Sequence, residues 1–244
     1  MISALIRNLR TVAAAALCLT AASTAQADTY PSRNITLVLP FAAGSGTDTT
    51  TRLISQHLSQ ALGVGIVIEN KAGANGMLAA TYVAKAAPDG YTLLVTTNTT
   101  HSANPYLLKS LTYDPVKDFT PIARTGDLPF MLVINPEVPA KSVAELVAYG
   151  KANPHLPSMQ EAGVPDFDIS SWQGYFGPAG MPKEIVTRLN TEIRKIIENP
   201  EVKAKLATLG MDAFSGTPEQ LATFVNEQLV LWEKLITNAK IEKQ

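Results

Sequence analysis

The sequence predicts an α/β fold organised around a doubly wound sheet. Short apolar runs of strand length alternate with longer segments whose apolar residues recur at helical spacing. The connections between them are short and rich in glycine, which is typical of units in which helices join parallel strands. The first apolar run also leads through a glycine-rich loop into a helix, and ligands in open α/β sheets lie at such carboxyl ends of strands.

The first half of the chain predicts a β-α-β-α-β succession. Strands are expected at residues 35–41, 64–69 and 91–97, with helices at residues 47–62 and 77–86. Gly63 ends the first helix, and a Pro-Asp-Gly turn precedes the third strand. The short connections favour a parallel arrangement of these three strands.

The second half predicts further elements around one interruption. Strands are expected at residues 119–124, 130–135 and 170–178, and helices beginning after Ser142, at Pro182 and at Thr217. Ser142 and Glu145 have the spacing of a capping box, which marks a helix start. Between Pro154 and His155 the orderly succession breaks off and a new run starts abruptly.

The amino terminus has the pattern of a secretory signal. Arg7 and Arg10 precede a weakly apolar stretch at residues 11–22, which is shorter than the ~20 residues that a membrane-spanning helix needs. Small residues flank Gln26, so we expect a signal peptide at residues 1–27 that is cleaved on export.

Composition excludes several classes of function for the exported chain. Loss of the two arginines of the signal changes the formal charge from −1 to −3, which leaves no basic excess for binding nucleic acid. The only cysteine, Cys18, lies inside the signal, so thiol catalysis and disulfides are not expected.

The strongest local signal for a function is the loop PFAAGSGTD at residues 40–48. It joins a strand to a helix start, where free backbone N–H groups and the positive end of the helix dipole attract anions. Glycines let a ligand approach the backbone, so a carboxylate suits this loop; the alternative is a tight turn in which the glycines serve only geometry. The candidate ligand-binding residues here are Phe41, Ala43, Gly44, Ser45, Gly46, Thr47 and Asp48.

Asp48 is open to two interpretations, because a carboxylate repels an anionic ligand. It either supports the helix start by interacting with the dipole and the first N–H groups, or it binds an ammonium or hydroxyl group of the ligand.

Two further loops follow the second and third strands. Gly73 lies in the former, and Thr99 and Thr100 lie in the latter, which is rich in hydroxyl and amide groups. Because the carboxyl ends of parallel strands share one edge of a sheet, we expect the three loops to converge. Serine and threonine in such loops also serve as turn and capping residues, which is the alternative for the two threonines.

Catalytic and metal chemistry are not indicated. His57, His101 and His155 lack metal-ligand spacing, and Gly44-Ser45-Gly46 fits neither a nucleophile elbow nor a dinucleotide-binding loop. We therefore expect a protein that is not an enzyme and that has no cofactor and no metal site. The alternative is a hydrolase that uses Ser45 or His101.

Taken together, the motifs resemble those of the tripartite tricarboxylate transporter solute-binding proteins, the Bug-type extracytoplasmic receptors. Four segments carry the resemblance: residues 38–48 (VLPFAAGSGTD), 69–76 (ENKAGANG), 88–94 (PDGYTLL) and 171–180 (SWQGYFGPAG). Ser45 stands where that family usually has a glycine. The resemblance covers residues 28–154 and 156–241.

The resemblance implies a type II periplasmic binding protein-like fold, in which two domains hold a small carboxylate largely through backbone N–H groups and bridging waters. It implies a periplasmic location and delivery of the ligand to integral-membrane permease subunits. It assigns residues 28–128 and 172–244 to domain 1 and residues 129–171 to a remnant of domain 2.

Most of the second domain is expected to be deleted after Pro154, because the family's second glycine-rich loop is absent there. The predicted function is therefore binding of a small carboxylate, impaired by the deletion. A non-binding remnant or an interaction module is the alternative.

Overall fold

The computed structural model describes residues 30–129, 134–153 and 170–244. Contacts divide the chain into Met1–Ser32 and Arg33–Gln244, and every element below lies in the second unit. The predicted signal peptide and residues 130–133 of the strand predicted at 130–135 lie outside the described residues.

The described part of this unit contains six strands and seven α-helices. The strands are β1 (Ile35–Leu39), β2 (Ile66–Asn70), β3 (Thr92–Thr97), β4 (Phe119–Pro129), β5 (Ser170–Pro178) and β6 (Asp212–Ala213). The helices are α1 (Gly46–Leu62), α2 (Met77–Ala84), α3 (Asn104–Leu107), α4 (Val143–Ala152), α5 (Lys183–Glu198), α6 (Pro200–Thr208) and α7 (Pro218–Asn238). A 3-10 turn (Ala74–Gly76) leads into α2, and a π-helical turn (Thr99–Ala103) leads into α3.

The strands form one mixed sheet in the order β2-β1-β3-β5-β4-β6. β1 is parallel to both of its neighbours, as the sequence predicts for the first three strands. β5 is antiparallel to β3 and to β4. This direction arises because the chain leaves the sheet at the end of β4 and returns at the same edge into β5. The α/β fold class is confirmed, with a mixed sheet in place of an all-parallel one.

Helices cover both faces of the sheet, as in a doubly wound fold. On one face, Trp172 and Phe176 of β5 belong to a buried cluster with residues of α2 and α7. Because strand side chains alternate between faces, Gln173 lies on the other face, where it accepts a hydrogen bond from Thr50 and donates one to Thr51 of α1.

Four elements differ from the sequence-based prediction. β4 continues to Pro129, well beyond the predicted end at residue 124, because it pairs with β5 along its whole length. Ile134 and Asn135 are not in a strand, so that part of the predicted strand is wrong. The short helix α6 and strand β6 were not predicted, although Asn199 caps α6 by accepting hydrogen bonds from the first-turn N–H groups.

Helix α4 exposes apolar side chains. Its start agrees with the prediction, since Ser142 accepts a hydrogen bond from the N–H of Glu145. Val143 is 67% exposed and Val147 is 37% exposed, and Ile134 nearby is also exposed. Clustered exposed apolar groups favour self-association.

We expect the double substitution Val143→Glu and Val147→Lys to reduce concentration-dependent association, because it places charges on the exposed face of α4. The glutamate also lies in the first turn of the helix, where a negative charge is favourable. Analytical ultracentrifugation over a concentration series measures the effect. Val230→Glu is the matched control, since Val230 of α7 is equally exposed. Equal association in all three proteins would contradict the role of α4.

Candidate functional site

The glycine-rich loop after β1 lies at the edge of the sheet where β1, β2 and β3 end. Ala43, Gly44 and Gly46 are exposed, and Phe41 and Ser45 are half-buried. Thr47 and Asp48 are buried in the first turn of α1. The exposed part of the predicted site is therefore the backbone at residues 42–46, not the side chains at its carboxyl end.

The start of α1 leaves backbone donors free. Ser45 caps the helix by accepting a hydrogen bond from the N–H of Asp48 at 3.2 Å. The N–H groups of Gly46 and Thr47 have no intrahelical partner, as at any helix start, and neither finds another acceptor in the described ranges. Such groups, together with the positive end of the helix dipole, favour an anion.

The carboxylate of Asp48 is fully occupied by the chain itself. Arg52 forms a bidentate ion pair with it. Nε donates to Oδ2 at 2.9 Å, and Nη2 donates to Oδ1 at 3.0 Å. Oδ2 also accepts the N–H of Gly44 at 2.9 Å, and Oδ1 accepts the amide of Asn70 at 3.0 Å. With four donors bound and only 2% of the side chain exposed, Asp48 has no lone pair left for a ligand. The geometry favours its support of the helix start and loop over contact with ligand.

These contacts also fix the charge of Asp48. Hydrogen bonds from Arg52 lower the pKa of Asp48 to about 2, with further lowering by Gly44 and Asn70, while burial acts in the opposite direction. Because Arg52 is paired with Asp48, its positive charge is already neutralised and does not serve as a free cation for a ligand.

The three loops predicted to converge do meet. A Cβ atom on Gly76 would lie 2.7 Å from Cγ2 of Thr100 and 3.0 Å from Cβ of Pro40, so the loops after β1, β2 and β3 touch at this point. The amide of Asn104 also donates to the carbonyl oxygen of Asn75 at 2.8 Å. Close packing fixes the position of each loop relative to the others.

The remaining candidate residues lie in different surroundings. Gly73 is exposed in the second loop, and Thr99 is half-buried at the start of the π-helical turn, where a loop was expected. Thr100 is fully buried, and its hydroxyl pairs with that of Thr96 at 2.7 Å and with Nδ1 of His101 at 2.9 Å. The structure therefore favours a supporting role for Thr100 over direct contact with a ligand.

His101 is unsuited to act as a base. It is fully buried between Phe119 and Phe176, with its ring stacked on Phe176 at a centroid distance of 4.1 Å. Burial lowers its pKa to about 3. Ser45, the other residue of the hydrolase alternative, uses its hydroxyl oxygen to cap α1. In the described ranges, no group of three or more His, Cys, Asp or Glu residues is placed to hold a metal.

Asn70 is the residue of this site that sequence reasoning missed. It is the last residue of β2, and its side chain reaches both Asp48 and the carbonyl oxygen of Phe41. The sequence placed Asn70 directly after the strand predicted at residues 64–69, but it did not show the direction of the side chain.

Comparisons with known proteins identify the family that this chain resembles. A family model described as "Tripartite tricarboxylate transporter family receptor" matches residues 50–156 and 153–241. The two matches overlap at residues 153–156, which is where the succession of predicted elements is interrupted. A UPF0065 protein of Pseudomonas sp. (strain P51) is 26% identical over 318 aligned positions, which cover 95% of this chain and 94% of the relative. Because this chain has 244 residues, at least 74 of those 318 positions face a gap in it.

Two solved structures of similar proteins contain dicarboxylates. The R. palustris protein Rpa4515 with adipate is 27% identical with a TM-score of 0.79, and the match covers 88% of this chain and 100% of that one. MatC from Rhodopseudomonas palustris with bound malate is 29% identical with a TM-score of 0.73, and the match covers 85% of this chain and 100% of that one.

We expect Gly76→Ala to be far more destabilising than Gly44→Ala. Both glycines have φ +82°, which costs an alanine about 1–2 kcal/mol. The new methyl group at position 76 also meets Thr100 and Pro40, which adds about 1–3 kcal/mol, whereas nothing lies within 4 Å at position 44. Urea denaturation measures both variants, and equal losses would show that the three loops are not in close contact.

We expect the ion pair of Asp48 to make stability depend on acid pH. The folded-state pKa of about 2 lies below the ordinary value of 3.8. The carboxylate therefore contributes stability that is fully present above about pH 4 and is lost as the pH falls through 2, amounting to about 2 kcal/mol. Asp48→Asn should lose that stability at pH 7 and show a flatter curve between pH 4 and 2. Chemical denaturation across this range compares the two proteins, and parallel curves would contradict the assignment.

Proposed function

Because this chain belongs to the tripartite tricarboxylate transporter family of receptors, we propose that it is an extracytoplasmic solute-binding protein for a small carboxylate. The observation that carries the proposal is the exposed backbone at residues 42–46, which ends at the uncapped N–H groups of Gly46 and Thr47. We assign ligand contact to the loop residues Phe41, Ala43, Gly44, Ser45, Gly46 and Thr47, with Gly73 and Thr99 at its border.

A carboxylate suits this loop for physical reasons. Its oxygens accept hydrogen bonds from backbone N–H groups, and the helix dipole stabilises its charge without a side-chain cation. A neutral solute would gain no charge–dipole stabilisation from the start of the helix. The dicarboxylates bound to Rpa4515 and MatC support the same class of ligand for this chain.

The family supports a proposal for the location and the partners of the chain. We propose that the chain is exported to the periplasm after removal of residues 1–27 and that it delivers its ligand to integral-membrane permease subunits. In the described ranges, no helix is both long and apolar enough to cross a membrane. No nucleic acid partner is proposed, since the formal charge of the whole chain is −1.

The shortened second domain weakens the proposed binding. A clamp gains affinity by enclosing most of the ligand surface between two walls. With one wall reduced, the ligand at residues 42–46 stays solvated, and each hydrogen bond competes with water and contributes little. The exposed apolar face of α4 supports a second candidate, an interaction module that no longer binds solute.

We expect the chain to bind malate or adipate with a Kd in the millimolar range, about −4 kcal/mol. A version in which the gap is filled with the corresponding segment of the Pseudomonas relative should bind in the micromolar range, about −8 kcal/mol, because the second wall removes the ligand from water. Isothermal titration calorimetry on both proteins measures the difference. Micromolar binding by the chain without the added segment would show that the second wall is dispensable.

Position 46 provides the matched controls for this experiment. A Cβ atom there meets only Cδ2 of Leu128, at an ordinary distance of 3.9 Å, so a side chain fits. Gly46→Glu places a negative charge beside the free N–H groups and should abolish binding, while the uncharged Gly46→Gln should retain more of it. If both variants bind equally well, or if uncharged sugars bind as tightly as the dicarboxylates, the site is not an anion site.

A further inference from the structure

We propose that Asn70 is a positioning residue that holds the ligand loop closed from the neighbouring strand. Only the expected effect on ligand binding rests on the proposed function. The positioning role itself is argued from contacts within the chain. Asn70 itself need not touch the ligand.

Asn70 joins the two ends of the loop through a single amide group. Its Nδ2 donates to the carbonyl oxygen of Phe41 at 2.9 Å and to Oδ1 of Asp48 at 3.0 Å. Phe41 is the first and Asp48 the last residue of the segment predicted to bind. The separation of the loop ends is therefore fixed by one side chain whose backbone belongs to another element.

The orientation of the amide follows from its surroundings. Both groups near Nδ2 are acceptors only, a backbone carbonyl and a carboxylate, so the amide must present its NH2 to them. Oδ1 faces Nη2 of Arg52 at 3.4 Å, which is a donor. Only a neutral amide satisfies all three neighbours, since an aspartate would lose both donated bonds and repel Asp48.

The backbone of Asn70 is paired within the sheet, which makes it an effective anchor. Asn70 ends β2 in register with Leu39, the last residue of β1. The next residue, Lys71, donates its N–H to the carbonyl oxygen of Leu39 at 2.8 Å. A side chain fixed to a sheet in this way holds a loop more firmly than contacts within the loop.

Within the loop, the bonds that shape the binding backbone are few, and one of them depends on Asp48. The N–H of Gly44 donates to the Asp48 carboxylate, and the N–H of Ser45 donates to the carbonyl oxygen of Ala42 at 3.2 Å. The residues between the two ends are mostly exposed. Release of Asp48 and Phe41 from Asn70 would therefore let residues 42–46 move, so that a ligand would have to order them on binding.

Asn70→Ala tests the proposal directly, with Asn34→Ala as its matched control. Asn34 is also an asparagine that ties the β1 and β2 regions together, through Oδ1 to the N–H of Gly65 at 3.1 Å, but it lies at the amino-terminal edge of these strands. Amide hydrogen exchange measured by NMR reports on the N–H groups of Gly44 and Ser45 in the full chain. We expect Asn70→Ala to accelerate their exchange about tenfold, the factor that corresponds to about 1.4 kcal/mol, and to leave the N–H groups of the buried strands unchanged. Asn34→Ala should leave Gly44 and Ser45 unchanged.

Titration of the same proteins with adipate and malate gives the functional readout. Chemical shifts of the loop follow binding even at millimolar Kd, and Asn70→Ala should weaken it about tenfold while Asn34→Ala does not. Unchanged exchange at Gly44 and Ser45, or acceleration spread over the whole sheet, would overturn the positioning role. Equal binding by wild type and Asn70→Ala would also overturn it, with carboxylate binding intact. Failure of the wild type to bind either acid would refute the proposed function and leave the exchange result to decide the role of Asn70.

Discussion

The pairing of β4 with β5 is the constraint on which the remaining structure depends. The two strands run antiparallel from Phe119 beside Pro178 to Pro129 beside Ser170, and β5 also pairs with β3. The chain therefore leaves and re-enters the sheet at adjacent positions of the same edge. A segment between these strands can be shortened without removing any pair of this sheet. The two family-model matches divide between these strands, at residues 153–156, and the described residues form one six-stranded sheet.

Strand β5 also anchors the helix whose start forms part of the proposed site. Gln173 of β5 holds Thr50 and Thr51 of α1 through buried hydrogen bonds. Because α1 is anchored to the central part of the sheet, its amino terminus stays at the edge where β1 ends. An anion-binding helix start needs such anchoring, since its N–H groups act only if their position is fixed before the ligand arrives.

The electrostatics of the site follow from the pairing of Asp48 with Arg52. The buried carboxylate of Asp48 is neutralised by the half-exposed guanidinium of Arg52, and the loop backbone and helix dipole remain to interact with an anion. A buried carboxylate close to the proposed anion site is therefore compatible with carboxylate binding. The sequence left the role of Asp48 open because it shows the residue types but not that four donors surround its oxygens.

Local patterns were sufficient for part of the fold. Apolar periodicity, the glycine-rich loop and the Ser142 cap each involve residues only a few positions apart. The elements β1, β2, β3, β5, α1 and the start of α4 lie close to where these patterns place them. The prediction failed where partners distant in sequence decide the outcome. β4 extends to Pro129 because β5 lies beside it, and residues 99–103 form a π-helical turn in a region where a loop was expected.

The sequence by itself determined the α/β class, the family resemblance and the loop at residues 40–48, because these are written in short-range spacing and composition. The tertiary structure alone decided which side chains of that region are available. Thr100 is buried where the three loops meet at Gly76, and Asn70 of β2 reaches Phe41 in the loop after the neighbouring strand β1. Burial and side-chain direction depend on contacts between elements that only the folded sheet brings together, so no local pattern could have specified them.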